Sequence, residues 1–242
     1  MTTSLVHDGV TVPIKVRKER RRNIRYSITG KSINVLIPKG IISHSVENIL
    51  KEVEEWAHAE FTKNPDLLNR FRVIVYENGE FIRVFGKDFK LLIFEENRKG
   101  LSGKVVDHQY IELRVPQGAD ENLLHKAIGQ LLSRVLSDYF HKDIVKRVQH
   151  YNLTYFQEKI VSIRLKNNQS NWGSCSSKKN INLSSRLLFA PVEVLDYVIV
   201  HELAHLKEMN HSPRFWKIVR DVMPDYEDKE VWLKKHGHTL KF

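Results

Sequence analysis

Residues 201–216 read HELAHLKEMNHSPRFW, and the first five letters place two histidines, His201 and His205, four positions apart. Four residues of an α-helix turn through about 400° and rise about 6 Å, so both imidazoles lie on one face and reach the same ion. Glu202 is rotated by about 100° from His201, where it contacts a water on the metal rather than the metal itself. The pattern therefore predicts a helix with two metal ligands and a catalytic carboxylate.

A third histidine, His211, follows in a segment that is typical of a turn between two helices. Asn210 readily adopts the left-handed conformation that ends a helix, and Ser212-Pro213 suits the N-cap and first residue of the next one. We expect this corner to bring His211 to the same ion, giving three imidazole ligands and one open position for water. The prediction is one zinc ion per chain, and imidazole also suits nickel, cobalt and copper. The alternative third ligand is a downstream carboxylate, Glu227 or Glu230, on a charged helix.

The pattern of apolar residues changes after Pro116-Gln117-Gly118. Alternating apolar residues predict a β-rich region with one helix over residues 1–116. Over residues 117–242 the spacing predicts a long helix to about Gln149, strands near 161–165 and 181–189, and a buried helix after Pro191. We therefore predict an α+β protein whose N-terminal half is β-rich and whose C-terminal half carries the metal site.

Several segments besides the histidine motif resemble one protein family. They are Trp172-Gly173-Ser174-Cys175-Ser176-Ser177, the strand from Asn180 to Leu188, Asp196-Tyr197-Val198 and Pro224-Asp225-Tyr226. With residues 201–216 they resemble the YgjP-like zinc metallopeptidases, relatives of the SprT and WLM proteases among the zincins, over most of the chain. The departures are Asn171 for a usual arginine, Lys179 for glycine and Ser185 for tryptophan. The histidine spacing also fits the metzincins, but Glu208 stands at their glycine position.

The resemblance implies a zincin-like metallopeptidase domain over residues 117–242 that hydrolyses peptide bonds in protein or peptide substrates. In such a site Glu202 is the general base toward a metal-activated water and then donates the proton to the leaving amine. Trp172, Gly173 and Tyr226 are the candidates for substrate binding or for stabilising the oxyanion. A strand within residues 172–176 or 180–189 is expected to bind an extended peptide by strand addition.

The 242 residues carry a formal net charge of +10, and half of this excess lies in residues 1–25. The basic side chains there are Lys15, Arg17, Lys18, Arg20, Arg21, Arg22 and Arg25. One interpretation is a polyanion-binding patch that recruits a DNA-associated protease to nucleic acid. The other is a solvated hairpin edge whose charge prevents unwanted strand pairing. The charge also leaves open a metal-dependent hydrolase that acts on a phosphorylated or nucleotide substrate.

The single cysteine, Cys175, excludes an intrachain disulfide and is typical of a reducing compartment. The first 25 residues contain no apolar segment of a signal peptide, and no apolar run reaches the roughly 18 residues of a membrane span. We therefore expect a cytoplasmic protein without membrane contact. The sequence does not specify its oligomeric state.

Overall fold

The computed structural model describes residues 2–29, 32–41 and 43–242, with the backbone alone for residues 43–45. The chain forms two compact units, Met1–Val73 and Ile74–Phe242. The three sheets, each with antiparallel pairing and one parallel pair, and the separate helices confirm the α+β class.

The first unit is a four-stranded sheet covered on one face by a helix. Its elements are β1 (Thr2–His7), β2 (Val10–Glu19), β3 (Arg25–Ile28), β4 (Ile33–Pro38), α1 (Ser43–Lys63) and α2 (Pro65–Asn69). The strand order is β1-β2-β4-β3, with β2 and β4 parallel and the other pairs antiparallel. Alternate residues of β2 and β4, such as Ile14 and Val35, are fully buried in one core with Val53 and Phe61 of α1.

The second unit begins with another four-stranded sheet, which packs on a long helix. The elements are β5 (Phe81–Val84), β6 (Lys87–Glu96), β7 (Ser102–Val106), β8 (Tyr110–Pro116) and α3 (Glu121–Tyr151). The strand order is β5-β6-β8-β7. Asp120 caps α3 by accepting a hydrogen bond from the Leu123 backbone N–H at 2.9 Å. The long helix predicted from the apolar spacing is confirmed.

The remainder of the second unit carries the histidine motif. Its elements are β9 (Ser162–Lys166), β10 (Gly173–Cys175), β11 (Asn180–Ser184), α4 (Val192–Ala204), α5 (Pro213–Val222) and α6 (Tyr226–His236). The strand order β10-β11-β9 leaves β10 at an edge of the sheet. The strand expected to reach residue 189 ends at Ser184, and Ser185–Phe189 form a 3-10 helix. Leu187 and Leu188 are neighbours and are both buried, whereas the alternation of a strand would point them to opposite faces.

The predicted division at 116/117 falls inside the second unit, and the observed division lies at 73/74. Residues from β6 and β8, such as Leu91 and Leu113, share one core with Leu132 of α3 and Leu203 of α4. The change of pattern at Pro116 therefore marks a change from strand to helix within one core.

Candidate metal centre

The chain turns between the end of α4 and the start of α5, as the sequence predicts, but α4 ends at Ala204 and Asn210 is not in the left-handed conformation expected at the helix end. His205 is the C-cap of α4, and its Nδ1 lies 3.1 Å from the backbone oxygen of Glu208. The Ser212 hydroxyl caps α5 by accepting a hydrogen bond from the Phe215 backbone N–H at 3.3 Å, and Pro213 is the first helical residue. These local bonds fix the direction in which the chain returns and hold His211 beside α4.

Three imidazoles converge at this corner. One ring nitrogen from each of His201, His205 and His211 lies within 4.8 Å of the other two. The Nε2 atoms of His201 and His211 are 3.0 Å apart. Burial, and after it the nearness of the other two histidines, lowers the pKa of His201 to about 3, while burial lowers that of His205. Neutral imidazole is the form that binds transition metals, so the donor set fits such an ion.

Phe215 packs against all three imidazoles and was missed as a site residue in the sequence. Its ring centroid lies 4.9 Å from that of His201, 4.5 Å from His205 and 4.8 Å from His211. The ring is fully buried. The available signal was the Ser212-Pro213 cap, which places Phe215 in the first turn of the helix that follows His211.

Glu202 lies on the buried side of α4, with only 4% of its surface exposed. Burial raises the pKa of its carboxyl group to about 8. Its Oε2 atom is buried and has no hydrogen-bond partner among the described residues. A buried carboxylate oxygen without a partner is costly in a folded protein, so a water or ligand is the group expected to satisfy it.

The edge strand β10 lies directly against Glu202. A β-carbon built at Gly173 would be 2.5 Å from Glu202 Oε1 and 2.7 Å from its Cγ, so residue 173 has no room for a side chain. One edge of β10 pairs with β11, and no strand in the described part of the chain pairs with the other. Gly173 thus places the carboxylate against one face of β10, a strand with an unpaired edge among the described strands.

Trp172 packs between a glycine and an arginine. The Arg186 guanidinium lies over the indole ring at 4.0 Å, and a β-carbon at Gly237 would be 2.5 Å from the indole Cζ2. The Arg186 Nε is buried without a partner among the described residues, and burial lowers the pKa of the guanidinium. No described carboxylate forms an ion pair with it.

Tyr226 is buried in a column of aromatic rings. Its ring stacks on Trp216 at 5.4 Å and on Tyr197 at 6.3 Å, and its hydroxyl donates to Glu227 Oε1 at 3.1 Å. These contacts give Tyr226 a packing role, and its role at an oxyanion stays a prediction. The two alternative ligands do not belong to the converging group of nitrogens, since Glu227 bonds Tyr226 and Glu230 pairs with Lys234 at 2.9 Å.

The seven basic residues of the predicted polyanion patch lie in the first unit, whereas every residue of the metal centre lies in the second. Across residues 2–29, 32–41 and 43–242, we find no helix with the length and apolar character that crossing a bilayer requires.

Comparison with known proteins gives several local likenesses. The chain is 26% identical over 93 residues to the UTP pyrophosphatase of Escherichia coli (strain K12), and this match covers 37% of the chain and 56% of that relative's length. The metallopeptidase zymogen of Pyrococcus abyssi abylysin is 24% identical, with 38% of this chain and 93% of that chain covered and a TM-score of 0.35. The corresponding zymogen of Methanocaldococcus jannaschii jannalysin is 25% identical, with coverages of 38% and 94% and a TM-score of 0.34.

A family model covers far more of the sequence than these likenesses do. The model of the YgjP-like metallopeptidase domain matches residues 22–236, which include the three converging histidines, Glu202 and the β10 strand. The chain therefore belongs to the YgjP-like family and carries its metallopeptidase domain.

Proposed function

We propose that this protein is a zinc-dependent hydrolase that cleaves peptide bonds in protein or peptide substrates. The observation that carries the proposal is the buried carboxylate of Glu202, which has one unpartnered oxygen. It follows His201, one of three converging imidazoles, and it contacts β10, a strand with one edge unpaired among the described strands. We place the activity in the cytoplasm, because a single cysteine is typical of a reducing compartment.

His201, His205 and His211 would hold one zinc ion per chain. When bound, zinc supplies a Lewis acid that polarises the scissile carbonyl and lowers the pKa of a water toward 7. Phe215 restricts the rotation of the three imidazoles by packing against each ring. Such packing holds the donor atoms in place before the ion binds, which favours affinity.

Glu202 performs the proton transfers of this proposal. Its carboxylate accepts a proton from the attacking water as the new C–O bond forms, and then donates that proton to the amine nitrogen as the C–N bond breaks. The absence of a side chain at Gly173 leaves the space that the carboxylate occupies. Proton transfer of this kind contributes about 10²- to 10⁴-fold to the rate.

The free edge of β10 is the proposed binding site for the substrate backbone. An extended peptide that adds to this edge would form backbone hydrogen bonds with it and place a carbonyl group near Glu202, since Gly173 belongs to β10. As donor to the oxyanion we favour a backbone N–H of the Trp172-Gly173 segment. The hydroxyl of Tyr226 already donates to Glu227.

Metal content and hydrolysis, measured on the same samples, test this function. We expect about one zinc per chain in the wild type and in Glu202→Gln, with hydrolysis of an unfolded protein substrate lost in Glu202→Gln. His205→Ala should lose both the metal and the activity. Unchanged metal content in His211→Ala would overturn the three-histidine site, and full activity in Glu202→Gln would overturn the general base.

A second candidate is hydrolysis of a phosphoanhydride bond in a nucleoside triphosphate. The E. coli relative that matches over 93 residues is named UTP pyrophosphatase. In this chain, the Arg186 guanidinium lies over the ring of Trp172, the residue before Gly173. Its Nε has no hydrogen-bond partner among the described residues. Arginine without a carboxylate partner is suited to bind phosphate oxygens.

Parallel assays separate the two candidates. The wild type is given an unfolded protein substrate and UTP, each with and without chelator and with Glu202→Gln as control. New peptide termini without pyrophosphate release support the peptidase. Chelator-sensitive pyrophosphate release without peptide cleavage overturns it in favour of the nucleotide hydrolase, for which Arg186→Gln should lower the rate on UTP.

A further inference from the structure

The sheet of the first unit has one face covered by α1 and one open face. On β2, Val12, Ile14 and Val16 are buried against the helix. Successive side chains of a strand point to opposite faces, so Lys15 and Arg17 project from the open face.

The strand register collects further positive charge on this open face. β4 lies between β2 and β3, and its Leu36 is directly opposite both Arg17 and Arg25. Neighbouring strands are about 4.8 Å apart, so the two arginines stand roughly 10 Å apart on either side of Leu36. Lys15 lies one row away along β2, at a spacing of about 6.7 Å from Arg17.

The segment between β2 and β3 carries two more exposed cations, Arg20 and Arg22, at the end of the sheet where Arg17 and Arg25 lie. We call Lys15, Arg17, Arg20, Arg22 and Arg25 the basic face. No member of the basic face forms an ion pair with a described carboxylate. By the same alternation the exposed Glu19 also lies on the open face, and it forms no ion pair with a described cation. Five cations against this one carboxylate leave a net positive charge at this end of the sheet.

We propose that the basic face binds nucleic acid through its phosphodiester backbone. The cations are spread over roughly 10 Å and do not converge on a single phosphate, so they suit a ligand whose phosphates repeat along a chain. Four of the five are arginines, whose planar guanidinium groups bind phosphate with two parallel hydrogen bonds. This partner is independent of the reaction proposed for the metal centre.

The composition of the open face also specifies the mode of binding. Its residues on the described strands include Thr2, Ser4, Pro13, Ser27 and Asn34, and none of its described positions is aromatic. Tyr26, the aromatic residue of β3, instead packs on Trp56 of α1. Without aromatic rings to stack on bases, the face contacts phosphates, and binding is independent of sequence and sensitive to salt.

Fluorescence anisotropy with labelled single-stranded and duplex oligonucleotides tests this proposal on the full chain. The test variant is Arg17→Gln/Arg25→Gln, and the matched control is Lys51→Gln/Lys63→Gln, which removes two charges from exposed positions of α1. We expect the test variant to weaken binding at least about tenfold and the control to change it less than about twofold. Between about 50 and 200 mM salt, the slope of log affinity against log salt should fall by about 1.4 to 1.8 in the test variant.

Equal losses in the two variants would overturn the proposal, because net charge alone would then explain binding. Absence of binding by the wild type at about 50 mM salt would also overturn it. Stronger binding to vesicles of anionic phospholipid than to either oligonucleotide, lost in the test variant, would assign the face to a membrane instead. Thermal unfolding of both variants confirms that they are folded. Hydrolysis by the test variant should be unchanged, so that loss of oligonucleotide binding is distinguished from loss of the proposed hydrolase activity.

Discussion

The α-carbon of Gly173 lies so close to the side chain of Glu202 that a β-carbon at residue 173 would be 2.5 Å from Oε1 and 2.8 Å from Cδ. Glu202 is 4% exposed, so its carboxylate has little free space into which it could be displaced. Its position is therefore set jointly by α4 and by the glycine in β10. The two residues are 29 positions apart in the sequence.

Replacing Gly173 by alanine should displace the Glu202 carboxylate without removing it. We expect a fall in kcat of about 10²-fold, the cost of a misplacement of about 1 Å, with near-normal metal content. Gly100→Ala is the matched control, because a β-carbon there meets no atom within 4 Å. In the background of Glu202→Asp, whose side chain is shorter, Gly173→Ala should cost much less. If Gly173→Ala lowers kcat as much in the Glu202→Asp background as in the wild type, the proposed contact is contradicted.

Phe215 should support metal affinity by packing against the three imidazoles. We expect Phe215→Leu to weaken zinc binding by about 10- to 100-fold, the usual effect of removing support from metal ligands. Phe140→Leu is the control, since Phe140 is also fully buried but packs on Phe85, Phe89 and Tyr139. Competition with a chromophoric chelator measures the affinity. Equal affinity losses in both variants would show that general loosening, not contact with the imidazoles, is responsible.

The part of the site that the sequence predicts is the part encoded by local signals. The spacing of His201 and His205 follows from helix geometry, and the Ser212-Pro213 cap that returns His211 is readable from neighbouring residues. The contact between Gly173 and Glu202 depends instead on how strands and helices pack. So does the packing of Phe215 against the three imidazoles. Propensity and periodicity carry no information about such packing, so the positioning role of both residues emerges only from the structure.

The domain boundary shows the same limit. Apolar periodicity detects the change from β8 to α3 at Pro116, because the alternation of a strand is replaced there by the spacing of a helix. It does not detect which elements share a core. Leu113 of β8 packs in the same core as Leu132 of α3, and the division between the two units is instead at 73/74.

The thiol of Cys175 should react slowly. Burial, then the nearby negative charge of Glu202, raises the pKa of this thiol to about 11. At pH 8 the thiolate is then roughly 0.1% of the population, against roughly a quarter for an ordinary cysteine. Because only the thiolate is alkylated, the rate with iodoacetamide in chelator-treated protein should rise about tenfold per pH unit from pH 8 to pH 10. A plateau near pH 9 would contradict the raised pKa, and simple steric shielding would not produce the continued rise.

Removing Asp196 from its pair with Arg147 should destabilise the fold far more than breaking an exposed ion pair does. The Arg147 guanidinium donates to both carboxylate oxygens of Asp196, which lies on α4, and the Asp196 side chain is 8% exposed. Asp196→Ala leaves a partly buried guanidinium without its partner. We expect a loss of roughly 2 to 3 kcal/mol in the free energy of unfolding, somewhat below the 3 to 5 kcal/mol of fully buried pairs because Arg147 is 34% exposed.

Lys217 and Asp221 form the matched exposed pair, with side chains 73% and 61% exposed at a distance of 2.8 Å. Asp221→Ala should cost less than about 1 kcal/mol, because water screens the pair and ordering two side chains offsets the attraction. Urea unfolding followed by tryptophan fluorescence measures both variants. Replacing both partners, as Arg147→Met/Asp196→Leu, should recover most of the stability, since the cost lies in a desolvated charge left alone. If the double variant is as unstable as Asp196→Ala, then lost packing around α4 accounts for the effect.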